Sequence, residues 1–510
     1  MGMQQPPVSA DRPVAAPVSL QAIVDAHPRL ELRGEPELVV TGITLNSASV
    51  RPGDLFAALP GEVSHGVQFL DEAIRLGAVA CLTDEAGLSG VGDLPTLISH
   101  SPRAALGGVA AQIFGYPAQQ LAMVGITGTN GKTTVAHLTG GALRECGTRT
   151  GIIGTAGVST DDRFALATRT TPEAPALQGL LAQLRSEGMQ AVCMEVSSHA
   201  LKLNRVDGVR FDLAAFTNLS QDHLDFHGTM ENYFEAKAML FTPQRCARAV
   251  VCIDDEWGVR LAQEVQVPLV TVSVTGVPAA DYRCTSVESQ ADGSQRLIIV
   301  GPNRDEHLIN ISLPGSFNAE NALVAWTLAH LLSVDDSCID EAFTQARVPG
   351  RMELVDAGQD FSVVVDYAHT PDAVERVLRS LRESTLRTGS SLICVLGCGG
   401  DRDREKRPEM GRIAATNADL VIITDDNPRG EEAEAIRSSM MVTMNGDQRE
   451  RVVDLGDRDE AISVAIERAR QGDVVAILGK GHESGQEIKG TVYPFDDRSV
   501  ALTHLRRVAR

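Results

Sequence analysis

Short apolar runs alternate with longer amphipathic stretches along most of the chain, and the alternation falls into three blocks. In the first, residues 54–59 read as a strand closed by Pro60 and Gly61. Residues 69–76 carry apolar positions at helical spacing and stop at Gly77, where a C-cap belongs, and 79–83 form the next strand. The second block opens with an apolar strand over 121–126, a glycine-rich loop, and a helix from Thr133 to about Cys146. Further strands are predicted over 191–196, 211–216 and 250–253. Val348, Pro349, Gly350 and Arg351 mark a linker. Beyond it, strands over 362–365, 392–396, 420–424 and 474–478 are each followed by a polar turn and a helical pattern. Strands that alternate with helices form a mostly parallel sheet covered on both faces. The expected fold class is therefore α/β in three domains: a small α/β domain over 21–120, a central P-loop ATPase-like domain with a mostly parallel sheet over 121–350, and a Rossmann-like α/β domain over 351–510. Residues 1–20, rich in Pro, Ala and Gln, are expected to be a disordered leader.

At 510 residues the chain exceeds what one core can bury, which agrees with several domains. Its 46 basic and 67 acidic side chains leave a formal charge of -21. That excludes a broad nucleic-acid footprint, which needs a basic face to displace counterions. Anionic small molecules bind such a surface only where local Lys, Arg and backbone N–H groups outweigh the global field. No apolar run approaches the roughly 18 residues of a membrane span, and the N-terminal stretch lacks the charged-then-apolar order of a signal peptide. The nine cysteines show no paired CxxC spacing, and Cys394 and Cys398 read as core residues rather than ligands. A cytoplasmic monomer that handles small molecules is expected, without nucleic acid and without membrane insertion.

The strongest chemical signal is Gly125-Ile126-Thr127-Gly128-Thr129-Asn130-Gly131-Lys132-Thr133-Thr134, which follows a predicted strand and opens a helix. Gly128 and Gly131 let the backbone curl so that successive N–H groups face phosphates, and the helix N-terminus adds partial positive charge. Lys132 is placed to reach the terminal phosphates of a nucleotide, and the Thr133 hydroxyl to ligate Mg2+. Five residues rather than four separate Gly125 from Gly131, so the loop is a variant of the usual pattern. Glu195 ends a buried apolar strand, which puts a carboxylate at the carboxyl edge of the sheet beside the loop. His223, in Asp-His-Leu-Asp, offers an imidazole nearby; taken alone, each of these residues is more often structural. Residues 233–240 read as an amphipathic helix whose Lys237 is a solvated charge. The loop Gly397-Cys398-Gly399-Gly400 lacks the third glycine of a dinucleotide fingerprint, since residue 402 is Arg, so NAD binding is not expected.

The phosphate loop resembles that of the Mur ligase family, and the resemblance runs from Leu45 to about Arg498. It is carried by Met194-Glu195-Val196-Ser197-Ser198-His199-Ala200-Leu201, by Phe216-Thr217-Asn218-Leu219-Ser220-Gln221-Asp222-His223-Leu224-Asp225 and by Tyr233 through Lys237. Further on it is carried by Leu313-Pro314-Gly315-Ser316-Phe317-Asn318, Asp366-Tyr367-Ala368-His369-Thr370-Pro371 and Gly399-Gly400-Asp401-Arg402-Asp403. Asp426-Asn427-Pro428-Arg429 and Gly479-Lys480-Gly481-His482-Glu483 complete it. The resemblance implies an ATP-dependent ligase of peptidoglycan precursor synthesis. ATP would phosphorylate the D-glutamate side-chain carboxylate of UDP-N-acetylmuramoyl-L-alanyl-D-glutamate, and the amine of meso-2,6-diaminopimelate would then displace phosphate to form an amide.

The family's residues carry over one by one. Lys132, Glu195, His223 and Lys237 form the implied catalytic set; Thr133, Glu195, His223 and a Lys237 carbamylated by CO2 would hold Mg2+. ATP would be bound by Gly128, Thr129, Asn130, Gly131, Lys132, Thr133 and Thr134 of the loop, and by Asn318, Asn321, Asp366, His369 and Asp401. The UDP-sugar would lie on the first domain at Leu45, Ser47, Glu62, Val63 and Ser64, with Thr170, Thr171, Ser197 and Arg205 holding the muramoyl dipeptide. Arg402, Asp426, Asn427, Pro428, Arg429, Gly479 and Glu483 would take diaminopimelate. Its diaminopimelate-adding members carry the Asp-Asn-Pro-Arg run, and lysine-adding members differ there. Arg429 can pair with the carboxylate that lysine lacks, whereas lysine would leave a buried Arg unpaired. Asn46 stands where Asp is usual, Arg169 where Asn is frequent and Leu203 where Gln often meets substrate. A lysine-adding homologue or a folate polyglutamylating ligase is the alternative among enzymes. A non-catalytic nucleotide switch is the alternative outside them, and the retained Glu195, His223 and Lys237 speak against it.

Overall fold

Three large sheets, with two two-stranded ribbons beside them, follow one another along the chain in the computed structural model, which describes residues 12–61, 63–165, 169–290 and 293–508, less the side chains of 384, 387 and 388. The first sheet runs Glu31–Arg33, Thr96–Ile98, Ala80–Thr83, Asp54–Ala57, Gly42–Thr44 in spatial order, its last four strands parallel. The helix Leu70–Leu76 ends on Gly77, whose φ of 106° suits glycine and closes the helix where the sequence places the cap. Ahead of the sheet, Val18–Ser19 pairs with Val39–Val40, and Ser19 caps the helix Leu20–Ala26. Arg12 Nη2 donates to buried Asp54 at 2.7 Å. The disordered leader expected over 1–20 is therefore corrected for 12–20: the Arg12 ion pair and the burial of Leu20 hold that stretch on the first sheet. Residues 1–11 lie outside the described residues.

The central sheet has eleven strands. Neighbours are parallel from Thr150–Gly154 through Ala191–Glu195, Ala122–Thr127, Phe211–Phe216, Cys246–Cys252 and Leu269–Ser273 to Tyr282–Ser289. Antiparallel ribbons extend it at both ends, Gly157–Ser159 with Phe164–Ala165 on one side and Gln295–Val300 with Glu306–Ile311 on the other. Successive residues point to opposite faces, so Val124, Ile126 and Cys193 pack into one apolar cluster and Met123, Val192 and Met194 into another. Register then does the positioning. Glu195 lies opposite Ile126 and Phe216 opposite Thr127, so three strands end at one edge, where the chain turns into the loop before the helix Lys132–Glu145.

The third sheet runs Glu353–Leu354, Ser362–Asp366, Val474–Leu478, Leu392–Leu396, Leu420–Ile423, Val452–Asp454, parallel except for the first pair. Asp366, Leu478, Leu396 and Ile423 stand in register across it, so the loops that follow them leave from one edge. All nine cysteines are free thiols, and Cys394 and Cys398 are buried. No helix among the described residues is long and apolar enough to cross a membrane.

A wholly buried ion pair joins the helix Arg458–Arg468 to the helix Asp497–Val508. Arg458 Nε donates to Asp497 Oδ1 at 2.8 Å, Nη2 to Oδ2 at 2.7 Å, and Nη2 also to the Leu478 carbonyl at 3.0 Å. Asp497→Ala strands a guanidinium away from water and should cost about 3–5 kcal/mol in urea unfolding; a loss under about 1 kcal/mol would mean the pair is solvated.

Candidate active site

The loop at the edge of the central sheet needs its glycines. Gly128 has a φ of 145° and Gly131 one of 89°; a Cβ on the first would strike the Thr217 hydroxyl, and one on the second the Asn321 amide. The loop is pinned from the neighbouring strand: Thr129 N donates to Asn218 O at 2.8 Å, Asn130 N to Asn218 Oδ1 at 3.0 Å, and Thr217 Oγ1 to Asn130 O at 2.6 Å. Lys132 Nζ folds back onto the Gly128 and Thr129 carbonyls at 2.9 and 3.0 Å. Burial holds its ammonium below the ordinary lysine range, with Glu195 opposing the shift.

Glu195 is 1 % exposed and accepts from Thr133 Oγ1 at 2.9 Å, Thr155 N at 2.8 Å and Thr155 Oγ1 at 3.1 Å. Arg351, on the linker to the third domain, donates to the same Thr133 hydroxyl at 3.1 Å. Among the described residues no three His, Cys, Asp or Glu side chains gather closely enough to hold a metal ion by themselves. Thr133 and Glu195 still present the hard oxygens that magnesium takes, beside a loop built for phosphate. They fit a cation that brings phosphate and water ligands with it. His223, at φ 53°, lies 3.3 Å from Asp222 and edge-on to His199. Partial desolvation lowers its imidazole from the ordinary histidine value, with Asp222 opposing, and so favours the neutral form that carries a lone pair for a ligand.

Lys237 is buried, which overturns its reading as a solvated charge. It is 1 % exposed; its Nζ donates to Gly128 O at 2.8 Å and lies 4.4 Å from the centre of the Tyr233 ring. Burial, then the neighbouring Lys132 ammonium, drive it well below the ordinary lysine range.

A cleft opens beside the loop, lined among others by Asn130, Gly131, Thr133, Thr134, Asn318, Asn321, Arg351 and Asp366. Of the residues expected at the nucleotide, Gly128, Thr129 and Lys132 belong to the loop but not to this lining, and His369 and Asp401 are outside it as well. His369 turns Nδ1 to the Tyr367 carbonyl at 2.8 Å, and Asp401, in the left-handed region at φ 51°, accepts from Gly430 N at 2.8 Å. The third domain nevertheless touches the loop directly: Asp372 Oδ2 accepts from Asn130 Nδ2 at 2.8 Å and from Ser220 Oγ at 3.0 Å.

On the first domain Leu45 packs against the core, and Ser47 begins a short turn capped by Asn46, whose Oδ1 accepts from Ala48 N at 3.1 Å. An Asp would cap equally well, so this departure is conformationally neutral. Val63 is exposed, Ser64 Oγ accepts from Gln68, and Glu62 lies outside the described residues. Thr171 Oγ1 donates to the Glu195 carbonyl at 2.9 Å and accepts from Ser197 N at 3.2 Å, while the Thr170 and Thr155 hydroxyls meet at 3.0 Å. Arg205 pairs with Glu173 at 2.8 Å, and Arg103 and Arg169 each reach the same carboxylate at 3.3 Å. Three guanidiniums around one carboxylate leave positive charge in excess where the first two domains meet.

In the third domain, buried Lys480 reaches Asn427 Oδ1 at 3.1 Å, Glu483 at 3.2 Å and Asp426 at 3.8 Å. Asn427 Nδ2 donates to Glu483 Oε2 at 2.9 Å, and a side chain on Gly479 (φ 114°) would press on Asp426. Arg429, at φ 52°, donates to Gly400 O at 2.8 Å and pairs with Glu487 at 3.3 Å. The side chain expected to be buried is partly exposed, at 23 %, and lies between Gly400 and Glu487. Arg402 is exposed, and the Pro428 carbonyl accepts from Glu431 N at 3.1 Å. Sequence reasoning missed Thr155, Glu173, Arg351, Asp372 and Lys480. Lys480 stood inside a quoted motif; Thr155 and Glu173 carry no local signal.

A glycine loop at the carboxyl edge of a parallel sheet, a carboxylate ending the adjacent strand and a further α/β domain resting on the loop define a multidomain nucleotide-dependent enzyme. Family models match in three segments: Mur ligase family, catalytic domain, over 39–111; Mur ligase middle domain over 126–329; and Mur ligase, glutamate ligase domain, over 350–481. The chain belongs to the Mur ligase family. It is 48 % identical over 474 residues to a UDP-N-acetylmuramoyl-L-alanyl-D-glutamate--2,6-diaminopimelate ligase of Streptomyces coelicolor, covering 92 % of this chain and 93 % of that one. A ligase of the same name from Corynebacterium glutamicum is 43 % identical over 507 residues, covering 95 % and 97 %. A solved structure of a ligase of that name has a TM-score of 0.69 at 32 % identity, over 97 % of this chain and 100 % of the other. A Mycobacterium tuberculosis folylpolyglutamate synthase, with a TM-score of 0.60 at 17 % identity over 74 % of this chain and 93 % of its own, shares the fold.

Glu320, in the wall of the cleft, is raised to about 7 by burial, although Asn218 Nδ2 donates to it at 2.9 Å. The folded state thus favours the neutral acid, and this group's stabilising contribution is lost as pH rises from 4.5, its ordinary value, through about 7. Glu320→Gln should remove that slope and gain about 2 kcal/mol at pH 8 and much less at pH 5. Denaturant unfolding of both proteins at the two pH values checks it, and equal gains at both would refute the assignment.

Proposed function

We propose that the chain joins meso-2,6-diaminopimelate to UDP-N-acetylmuramoyl-L-alanyl-D-glutamate, converting ATP to ADP and phosphate, in peptidoglycan precursor synthesis. The observation that carries this reading is the phosphate loop: Lys132 sits over a glycine curl that the third domain touches through Asp372, so nucleotide and amino-acid-binding domain converge on one point. Near full-length likeness to ligases of that name supports the choice of substrates.

The phosphates of ATP occupy the loop and the nucleoside the cleft at Asn318 and Asn321, while Lys132 exchanges two carbonyls for the terminal phosphate. The D-glutamate side-chain carboxylate attacks the γ-phosphorus, the bond to the β–γ bridging oxygen breaks, and ADP and an acyl phosphate result. A neutral amine of diaminopimelate then adds to the acyl carbon. The tetrahedral intermediate expels phosphate, the amine loses its proton, and an amide remains. Magnesium, for which Thr133, Glu195 and His223 are the candidate ligands, would neutralise charge on the transferred group. Lys237 is the candidate for carbamylation: CO2 needs a neutral amine, which burial favours, and the product would turn the second cation beside the loop into an anionic oxygen ligand. Arg103, Arg169 and Arg205 offer their excess charge to the anionic precursor, and Arg429 its fork to the carboxylate that lysine lacks.

Lys132→Ala should lower phosphate release with all three substrates by about a thousandfold or more, with thermal unfolding within a few degrees of wild type; near-normal turnover would end the phosphate-loop reading. Arg429→Ala should raise the KM for diaminopimelate about tenfold and leave that for ATP nearly unchanged. Initial rates at varied diaminopimelate test this, and equal use of lysine by the unmodified enzyme would overturn the specificity.

A further inference from the structure

Seven of the nine thiols are buried, whereas Cys146 is exposed and Cys338 only half-buried. Cys146 caps the C-terminal end of the phosphate-loop helix Lys132–Glu145, and Cys338 lies in the first turn of the helix Asp336–Thr344. These helices approach closely: a Cβ built on Gly141 would stand 3.9 Å from the Cβ of Ala342, the separation found in disulfide-linked residues. About one turn on along the first helix, and about one turn back along the second, are Cys146 and Cys338, which helix geometry therefore brings to the same seam, near enough for the Cys146 thiol to act on that of Cys338. The helices are thus antiparallel at this seam. Both backbones are anchored in one apolar cluster through Ala142, Leu143, Ile339 and Phe343, with Cys338 packed against it.

We infer that Cys146 and Cys338 form an oxidisable dithiol site, which exchange with a low-molecular-weight disulfide closes into a cross-link between the phosphate-loop helix and the helix Asp336–Thr344. The Cys146 thiolate attacks one sulfur of RSSR, breaking its S–S bond and releasing RS⁻. The Cys338 thiolate then attacks the Cys146 sulfur of the mixed disulfide, releasing the second RS⁻. The two protons from the protein thiols end on two RSH; the protein is oxidised by two electrons and RSSR reduced by two. Contact with Cys146 and loss of hydration, with the carboxylates of Asp335 and Glu145 nearby, push the Cys338 thiol up to about 11. Its thiolate is therefore scarce at neutral pH, so closure is slow and accelerates with pH. For the same reason the reduced pair gains little from ionisation, and the closed form resists reduction. The cross-link would fasten the root of the helix that begins at Lys132 to the segment leading through the linker to Arg351, which bonds Thr133. None of this depends on which substrates the active site takes.

The test uses the full-length protein and glutathione disulfide at pH 8.5, followed by alkylation of free thiols and peptide mass spectrometry without reduction. The expected result is a Cys146–Cys338 linked peptide, two fewer alkylated cysteines and no lasting glutathione adduct, all reversed by dithiothreitol. Cys338→Ser should instead retain one glutathione on Cys146, and Cys146→Ser should give no link. A persistent glutathione adduct on Cys146 of the unmodified protein, or both thiols left free while glutathione accumulates on Cys146 of Cys338→Ser, would overturn the inference. So would no reaction at either cysteine in any of the three proteins.

Discussion

Two ammonium groups share one carbonyl. Lys132 and Lys237 both donate to Gly128 O, at 2.9 and 2.8 Å, and the rest of the site is arranged around that crowding. Burial lowers both ammoniums, and at Lys237 the neighbouring Lys132 charge adds to the shift. The tension is relieved when negative charge arrives, as a nucleotide phosphate or as a carbamate on one of the lysines. It requires a residue at 128 with no side chain and a φ of 145°, because a Cβ would collide with Thr217. Glycine there sets where two cations point, and that decides where an anion is welcome.

The same edge couples the domains. Thr133 follows Lys132 and donates to Glu195, while Arg351, from the linker, donates to Thr133. A shift of the third domain is thereby felt at the hydroxyl that stands next to the phosphates, and Asp372 on Asn130 makes a second link of the same kind. The phosphate loop and the contacts of the third domain therefore meet on the same residues, 130–133.

What could be read from the sequence follows from how each feature is encoded. The strands Phe211–Phe216, Leu392–Leu396 and Val474–Leu478 have the predicted bounds because sheets buried on both faces need unbroken apolar runs. The ribbon Gln295–Val300 with Glu306–Ile311 escaped, since its outer strand is half-exposed and includes Glu306, His307 and Asn310. The ordering of residues 12–20 depends on Arg12 finding Asp54, a pairing across 42 positions that no local pattern reports. Among site residues, the loop, Glu195 and the Asp-Asn-Pro-Arg turn were legible because motif and strand end coincide. The burial of Lys237 was not: its helix is polar in composition, and only packing against Tyr233 and Gly128 buries the amine. Thr155 contributes a backbone N–H to Glu195, a donor every residue but proline carries.

One pattern recurs at each candidate binding point. Lys132 rests on carbonyls, Arg205 on Glu173, Arg429 on Glu487 and Gly400 O, and Lys480 on Glu483 and Asn427. None of these cations waits bare for its ligand; each would exchange an internal partner for an external one. For Arg429 and Lys480 such an exchange gains little from charge alone, because one ion pair replaces another. Discrimination then has to come from geometry, such as whether an incoming group can offer two parallel acceptors to the Arg429 fork where Glu487 offers one. In a chain of formal charge -21 this is the physical condition for binding anionic precursors at all: the global field repels them, and only pre-shaped, locally compensated cation sites can hold them.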